Sequence, residues 1–353
     1  MSDLYTIIPK ASIRPNQIVF YNRFEKNLNN NDNKKYSSKS IAEVEKLTSN
    51  ANNIIQPISN KHNYEISIKA SKRIKEKVTW LYHLAKTRTI TTHNNKILYS
   101  FKMNFLTLTL PSNQTHQTSE IINKCLNQFF IECSKRFGMI NYVWRLEYQK
   151  NGNAHFHIAT DTFVEFWQAR TIWNRCLNKL GYINENQKKK IGKTFNDYLK
   201  ENPITEINTF EKLRTRFTYG CASGWSNPNT IDVRCVTNSK NIAFYISKYI
   251  TKKSTEKLNP IIAERENTNS NIRLWFCSRS LSKVDKIEVF LDSCNDNLKN
   301  IFSNLKEVKY IVHDYVEVMY FNVQQQTNEV KRLFREILFG YAAEVGYFKR
   351  ATQ

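Results

Sequence analysis

The segment from Tyr142 to Thr160 constrains the fold more than any other part of the sequence. It reads YVWRLEYQ, then KNGN, then AHFHIAT, and apolar and polar residues alternate on both sides of Asn151 and Gly152. Alternation with a period of two is typical of half-buried strands, and Asn and Gly are favoured in tight turns. The segment therefore predicts an antiparallel β-hairpin.

Strand and helix periodicities alternate along the rest of the chain. Order is expected to begin near Ser67, and apolar spacing predicts helices from there to Ala85 and over 119–137, 166–180 and 241–253. Alternation predicts further strands at 103–110, 230–236 and 273–278. This order favours an α+β fold, in which helices pack on one face of a central antiparallel sheet.

Composition divides the chain into three regions. Residues 1–65 are rich in Asn and Lys, which predicts a partly flexible N-terminal region. Residues 66–285 hold the predicted sheet and its helices and are expected to form the main domain. Residues 286–353 contain a hairpin-like stretch followed by a helical pattern, which predicts an accessory element.

The charge of the chain points to its partner. There are 53 Lys and Arg residues against 31 Asp and Glu residues, a formal net charge of +22. Such a field attracts polyanions, so nucleic acid is the expected partner. No apolar run approaches the ~18 residues of a membrane span. Seven cysteines without a CxxC pair disfavour disulfides and structural zinc and, together with the lack of a secretory signal, favour an intracellular compartment.

The predicted hairpin brings two imidazoles and a carboxylate to one face. A three-residue turn at 151–153 would pair Gln149 with His155 and Glu147 with His157. A carboxylate in an otherwise apolar strand is costly unless it is paired or binds a ligand. His155, His157 and Glu147 therefore predict a divalent-metal site. The donor set suits Mg²⁺ or Mn²⁺, although two histidines and one carboxylate also fit non-haem iron.

The segment YISKYITKK carries a second group of polar residues. At helical spacing Tyr245, Lys248, Tyr249 and Lys252 share one face, apart from the apolar stripe of the same segment. The tyrosines and lysines are therefore expected to face away from the core. The segment IGKT lacks a P-loop, because the position that needs glycine holds Gln187, so no ATP-driven motor is predicted.

The segments FLTLTLPS, HFHI and YISKYITKK, in this order, resemble the three motifs of the HUH superfamily of rolling-circle replication initiators. The tyrosine pair resembles the two-tyrosine branch of microvirus-type single-stranded DNA phages. The flanking segments, such as NYVWRLEYQKNGNAHFHI and RLWFCSRSLS, are most similar to replication proteins of phages and plasmids of Bacteroidetes hosts. The resemblance covers residues 66–285, for which it implies an HUH endonuclease domain with an RRM-like sheet.

The resemblance implies an endonuclease that nicks and joins single-stranded origin DNA to initiate rolling-circle replication. Tyr245 and Tyr249 would be the nucleophiles that form a 5′-phosphotyrosine, with Lys248 assisting and the metal ion of His155 and His157 bound at the phosphate. A host helicase and a DNA polymerase would be partners in the cytoplasm of a bacterial host, and ATP would not be needed.

Several basic residues are expected to contact DNA: Lys252, Lys253, Lys72, Arg73 and Arg234. Two alternatives stay open, a two-tyrosine transposase of the same superfamily and a non-catalytic single-stranded DNA-binding protein. A plasmid relaxase is disfavoured because the usual third histidine upstream is missing. An iron oxygenase would explain neither the net charge of +22 nor the tyrosine pair.

Overall fold

The computed structural model describes residues 5–26, 66–91, 97–236, 260–266, 272–293, 296–313 and 316–348. The chain divides into two compact units. The first unit comprises residues 1–63 and 285–338, and the second comprises residues 64–284 and 339–353.

The described residues form strands and helices that are numbered here in chain order. The strands are β1 (Tyr5–Arg14), β2 (Gln17–Lys26), β3 (Arg88–Thr91), β4 (Ile97–Phe101), β5 (Met103–Leu108), β6 (Tyr142–Tyr148), β7 (Ala154–Thr160), β8 (Ile231–Val236), β9 (Trp275–Cys277), β10 (Ile287–Phe290), β11 (Lys309–His313) and β12 (Val316–Tyr320). The α-helices are α1 (Ile68–Leu84), α2 (Thr118–Ile121), α3 (Asn127–Phe137), α4 (Phe166–Asn178), α5 (Tyr182–Lys190), α6 (Phe195–Glu201), α7 (Phe210–Ala222), α8 (Pro260–Glu266), α9 (Arg279–Ser282), α10 (Asp296–Asn304) and α11 (Asn328–Glu344).

The second unit contains a five-stranded antiparallel sheet in the order β8-β5-β7-β6-β9. One face of this sheet is apolar, and side chains such as Leu106, Trp144 and Phe156 are buried with residues of α2 to α5, including Phe129 and Trp173. A π-helical turn, Ile122–Leu126, joins α2 to α3. The predicted α+β class, with helices on a central antiparallel sheet, is confirmed.

Helix α1 begins where order was expected to begin. The side chain of Ser67 accepts a hydrogen bond from the backbone N–H of Ala70, which caps the first turn. Ile74, Val78 and Leu81 are buried on one face of this helix. Their spacing of three to four residues is the periodicity that predicted the helix.

The first unit contains a second antiparallel sheet, in the order β10-β1-β2-β12-β11. Its core includes Ala11, Ile13, Ile18 and Met319, and Phe20 packs edge-on against Phe302 of α10 with ring centroids 5.4 Å apart. The strands of residues 5–26 differ from the flexible region expected there. Composition misled the prediction, because the Asn-rich stretch after residue 26 hid the strand alternation before it; residues 27–65 lie outside the described residues.

The C-terminal residues return to the second unit. Tyr341 packs against Trp80 of α1, with ring centroids 5.8 Å apart. The hydroxyl of the fully buried Tyr347 donates a hydrogen bond to Asp161 at 3.2 Å. The end of the chain is thus part of the core of this unit. Within the described ranges, no helix has the length and apolar character needed to cross a membrane.

Candidate active site

The β6–β7 hairpin has a different register from the one predicted. Glu147 lies opposite His155 and Arg145 lies opposite His157, so the predicted pairs Gln149–His155 and Glu147–His157 are wrong. The turn closes one residue earlier than expected, because the N–H of Gln149 donates to the carbonyl of Asn153 at 2.9 Å and the loop is residues 150–152. Gly152, at φ 80°, occupies the left-handed position that ends this loop.

The shift in pairing leaves the predicted site residues on one face of the sheet. Directly opposed residues share a face, as do residues two apart in a strand, so Glu147, His155 and His157 project together. The imidazole centroids of His155 and His157 are 4.5 Å apart. His157 Nε2 is 3.2 Å from Glu147 Oε2. The structure therefore brings the three predicted metal ligands together.

His155 presents a buried nitrogen atom without a hydrogen bond. Its Nε2 atom has no hydrogen-bond partner in the described part of the chain. Burial lowers the pKa of His155 to about 4, helped by the neighbouring His157 and opposed by the charge of Glu147. A neutral imidazole carries a free lone pair at one ring nitrogen, which is the form that binds metal ions.

The donor atoms fit a divalent ion chemically, but their arrangement is not that of a ligand set. Across the ranges that the structure describes, no three His, Cys, Asp or Glu side chains are grouped so that they could hold a metal ion. The reason is visible at Glu147, whose carboxylate is hydrogen-bonded to His157 rather than turned to a point shared with His155. Metal binding would require that hydrogen bond to be exchanged.

His157 also contacts the neighbouring strand β5. Its Nδ1 atom lies 3.4 Å from the hydroxyl of Thr107, which is paired with His157 across the ladder. The two contacts of its ring, to Thr107 and Glu147, fix the orientation of the imidazole. Thr107 lies in the first of the three sequence motifs, for which the residues themselves had suggested only a strand.

One row of side chains crosses the whole sheet at His157. In spatial order its members are Asp232, Thr107, His157, Arg145 and Trp275. The sequence analysis missed Arg145, whose side chain is buried beside His157 and Glu147. The argument that singled out Glu147, a charge in an apolar strand, applies equally to Arg145 and would have found it.

The predicted DNA contacts divide into three groups. Arg234 lies on the same face as His157, two residues after Asp232, and forms an exposed ion pair with Asp232 at 2.8 Å. Lys72 and Arg73 are exposed on α1. The remaining predicted residues, namely Tyr245, Lys248, Tyr249, Lys252 and Lys253, lie outside the described residues.

A comparison with protein families identifies the context of this site. The family model for replication-associated proteins of the ORF2 type matches residues 103–254. The match supports a replication-initiator family. It contains strands β5 to β8, and hence most of the row through His157, while β9 and the first unit lie outside it. No curated protein matches the chain, and no solved structure matches it.

A buried network holds the turn of the β6–β7 hairpin. The side chain of Gln114 accepts a hydrogen bond from the N–H of Ala154 at 2.7 Å, and the N–H of Gln114 donates to Asn153 Oδ1 at 2.8 Å. Asn153 also donates to the carbonyl of Ser112 at 2.9 Å. The residue before His155 is therefore fixed to the loop that follows β5.

Helix α8 packs against the same turn. A Cβ atom on Gly152 would lie 3.5 Å from the side chains of Ile261 and Ile262. The fully buried carboxylate of Glu266 accepts hydrogen bonds from the N–H of Thr118, at 2.9 Å, and from its hydroxyl, at 2.5 Å. The chain after residue 259 is thus anchored next to the hairpin that carries the two histidines.

Proposed function

We propose that the chain is an origin-specific endonuclease that nicks and joins single-stranded DNA to initiate rolling-circle replication of a phage or plasmid. The observation that carries the proposal is the cluster of His155, His157 and Glu147, with a buried and unbonded Nε2 atom on His155, inside the span matched by a replication-associated family. The net charge of +22 supports DNA as the substrate.

His155, His157 and Glu147 would hold the divalent ion, Mg²⁺ or Mn²⁺. When bound, the ion would polarise the scissile phosphate and neutralise the charge that develops on it. His155 contributes a neutral imidazole, and Thr107 keeps the ring of His157 oriented through Nδ1. Glu147 would exchange its hydrogen bond with His157 for a bond to the ion.

The reaction proposed for the chain is transfer of a phosphoryl ester to tyrosine. The phenolic oxygen of Tyr245 or Tyr249 attacks the scissile phosphorus, the bond from phosphorus to the 3′ oxygen breaks, and the 3′ oxygen takes up a proton. The products are a 5′-phosphotyrosine and a free 3′-hydroxyl that primes synthesis. Lys248 would stabilise the phenolate. The second tyrosine would permit a second transfer after one round of copying.

Cations on this unit would hold the strand at the site. Arg234 shares the sheet face of the histidines and is exposed, which suits a phosphate contact beside the scissile position. Lys72 and Arg73 of α1, together with Lys252 and Lys253, would bind the backbone without reading sequence.

The proposed reaction needs no ATP, because the phosphotyrosyl ester keeps the free energy of the phosphodiester for rejoining. The proposal therefore assigns strand separation and copying to a helicase and a DNA polymerase of a bacterial host, in whose cytoplasm the chain would act.

The test is incubation of the full chain with an end-labelled library of single-stranded DNA and Mn²⁺. We expect cleavage that EDTA and His155→Ala abolish, while DNA binding survives because backbone contacts supply most of the affinity. His313→Ala, at an exposed position outside the family match, is the matched control and should cleave normally. Binding without cleavage by the unaltered chain would favour the alternative of a non-catalytic single-stranded DNA-binding protein.

A further inference from the structure

Helices α5, α6 and α7 form a small module between α4 and β8. The module has its own apolar cluster, in which Tyr198, Leu213 and Trp225 are buried against Phe217 and other aromatic residues. Gly220 of α7 lies so close to the indole of Trp225 that an added Cβ atom would be 2.4 Å from the ring. Helix α7 is therefore fixed in orientation by a tightly packed inner face.

The opposite face of α7 is exposed along its length. Thr215 and Thr218 lie near the middle of this face, at about 100° per residue, and both are exposed. Arg214 lies on one side of them, and Lys212 and Arg216 lie on the other side. The face thus has short hydroxyl side chains at its centre and cations along both margins.

The cations of α7 also hold the preceding loop. Arg216 donates to the side chain of Asn208 at 2.9 Å, and Lys212 donates to the carbonyl of Ile207 at 3.3 Å. The Asn208 N–H donates to the hydroxyl of Thr205 at 3.0 Å, which closes the loop. The exposed face is consequently presented on a short, internally bonded turn.

We infer that α7 binds double-stranded DNA by entering its major groove. A helix of 13 residues is about 20 Å long, and its diameter suits a groove about 12 Å wide. Cations along both margins match the two phosphate backbones that border the groove, and threonine side chains at the centre suit base edges and the thymine methyl group. Glu211, the acidic residue of this helix, lies in its first turn, where the helix dipole favours it.

This surface suits a duplex better than a single strand. Single strands bind to platforms of stacked aromatic side chains, and Tyr219 is the aromatic residue beside the threonines. Its hydroxyl lies 3.5 Å from Arg170 Nη2 of α4, so its ring is tied to the neighbouring helix. The inference rests on the proposed function, to which it adds a duplex contact separate from the cleaved single strand.

The experiment measures binding of the full chain to a labelled mixed-sequence duplex of about 20 base pairs, two helical turns, and to a single strand of equal length. We expect Arg214→Ala to weaken duplex binding about tenfold and to lower the slope of log affinity against log salt by about one. Lys188→Ala is the matched control, since it removes one exposed charge from α5 of the same module and should change duplex affinity less than about twofold.

Two outcomes would overturn the inference. One is an equal loss for Arg214→Ala and Lys188→Ala, which would mean that the positive field alone attracts DNA. The other is unchanged duplex affinity in Arg214→Ala. Thr215→Val, which keeps the shape and removes the hydroxyl, should leave the salt slope unchanged while altering preference among duplex sequences. Cleavage of a short single strand should be normal in all three variants, and loss of that activity in the unaltered chain would count against the proposed function instead.

Discussion

Glu147 lies directly across the hairpin from His155, yet its carboxylate is hydrogen-bonded to the diagonal neighbour, His157, at 3.2 Å. The partner it faces in the ladder, His155, keeps a buried Nε2 atom without a hydrogen bond. A small rotation of one partly exposed carboxylate would turn this arrangement into three ligands around one point. The relationship explains why the cluster is not a ligand set as it stands and why Glu147 decides whether it becomes one.

Glu147→Ala is expected to weaken Mn²⁺ binding by at least about tenfold, the range seen when groups that support a metal are lost, and to slow cleavage in proportion. The measurement is titration of Mn²⁺ into the full chain by calorimetry or electron paramagnetic resonance. Gln149→Ala is the matched control, since the observed register places Gln149 at the turn rather than beside His155. Equal effects in the two variants would restore the register predicted from the sequence.

Gly220→Ala is expected to lower the free energy of unfolding of the second unit by about 1–3 kcal/mol, because the new methyl group would overlap the packed indole of Trp225. Gly340→Ala, in α11, is the control: nothing lies within 4 Å of the added atom, so better helix propensity should raise stability by up to about 1 kcal/mol. Urea denaturation of both variants measures the difference. Opposite signs support the packing of α7, and two stabilised variants would contradict it.

Tyr347→Phe is expected to destabilise the second unit by about 1–3 kcal/mol near neutral pH, because it removes a hydrogen bond to the buried carboxylate of Asp161. Burial raises the pKa of Asp161, and the hydrogen bonds from Asn141 and Tyr347 lower it in part. The folded state therefore holds this proton more tightly than the unfolded chain, so stability falls as pH rises from the ordinary range of aspartate through the raised pKa.

Loss of the tyrosine hydroxyl would raise the pKa of Asp161 further, so the deficit of Tyr347→Phe should grow with pH. Urea midpoints measured from acidic to neutral pH test this expectation. Tyr310→Phe, at an exposed position of β11, is the control and should show no deficit. A deficit for Tyr347→Phe that is equal at every pH would show that the Asp161 contact contributes nothing.

Relaxed duplex DNA is expected to be nicked more than about tenfold slower than the same sequence as a single strand or in a negatively supercoiled plasmid. The reason is that unpairing costs a few kcal/mol, and each 1.4 kcal/mol is a factor of about ten. Conversion of closed circles to nicked circles on agarose gels measures the rates. Added ATP should change none of them, and ATP-dependent unwinding by the purified chain would refute the absence of a motor.

Local periodicity was sufficient to predict most of the second unit. Strands β5, β6, β7, β8 and β9 all lie within the predicted segments, because each has one face on the apolar core and so alternates in sequence. The α+β class followed from their order. What periodicity could not give was the pairing of β1 with β10 and of β2 with β12, since partners so distant along the chain leave no local signal.

The candidate site was predicted in content but not in detail. The histidines and Glu147 were found because residues two apart share a strand face, and a register error of two residues leaves the face unchanged. The error arose from the position of Gly152 within the loop, where its left-handed φ decides which residue closes the turn. Arg145 was overlooked because its strand was interpreted through its carboxylate alone.

The most direct test of the central claim is identification of the residue that becomes covalently attached to DNA. The full chain is incubated with Mn²⁺ and single-stranded DNA, the adduct is digested, and the modified peptide is sequenced by mass spectrometry. The account predicts a 5′-phosphotyrosine on Tyr245 or Tyr249, a reduced yield in Tyr245→Phe and Tyr249→Phe, and no adduct when both substitutions are combined. An adduct that persists in the doubly substituted chain, or cleavage that passes through no adduct, would contradict it.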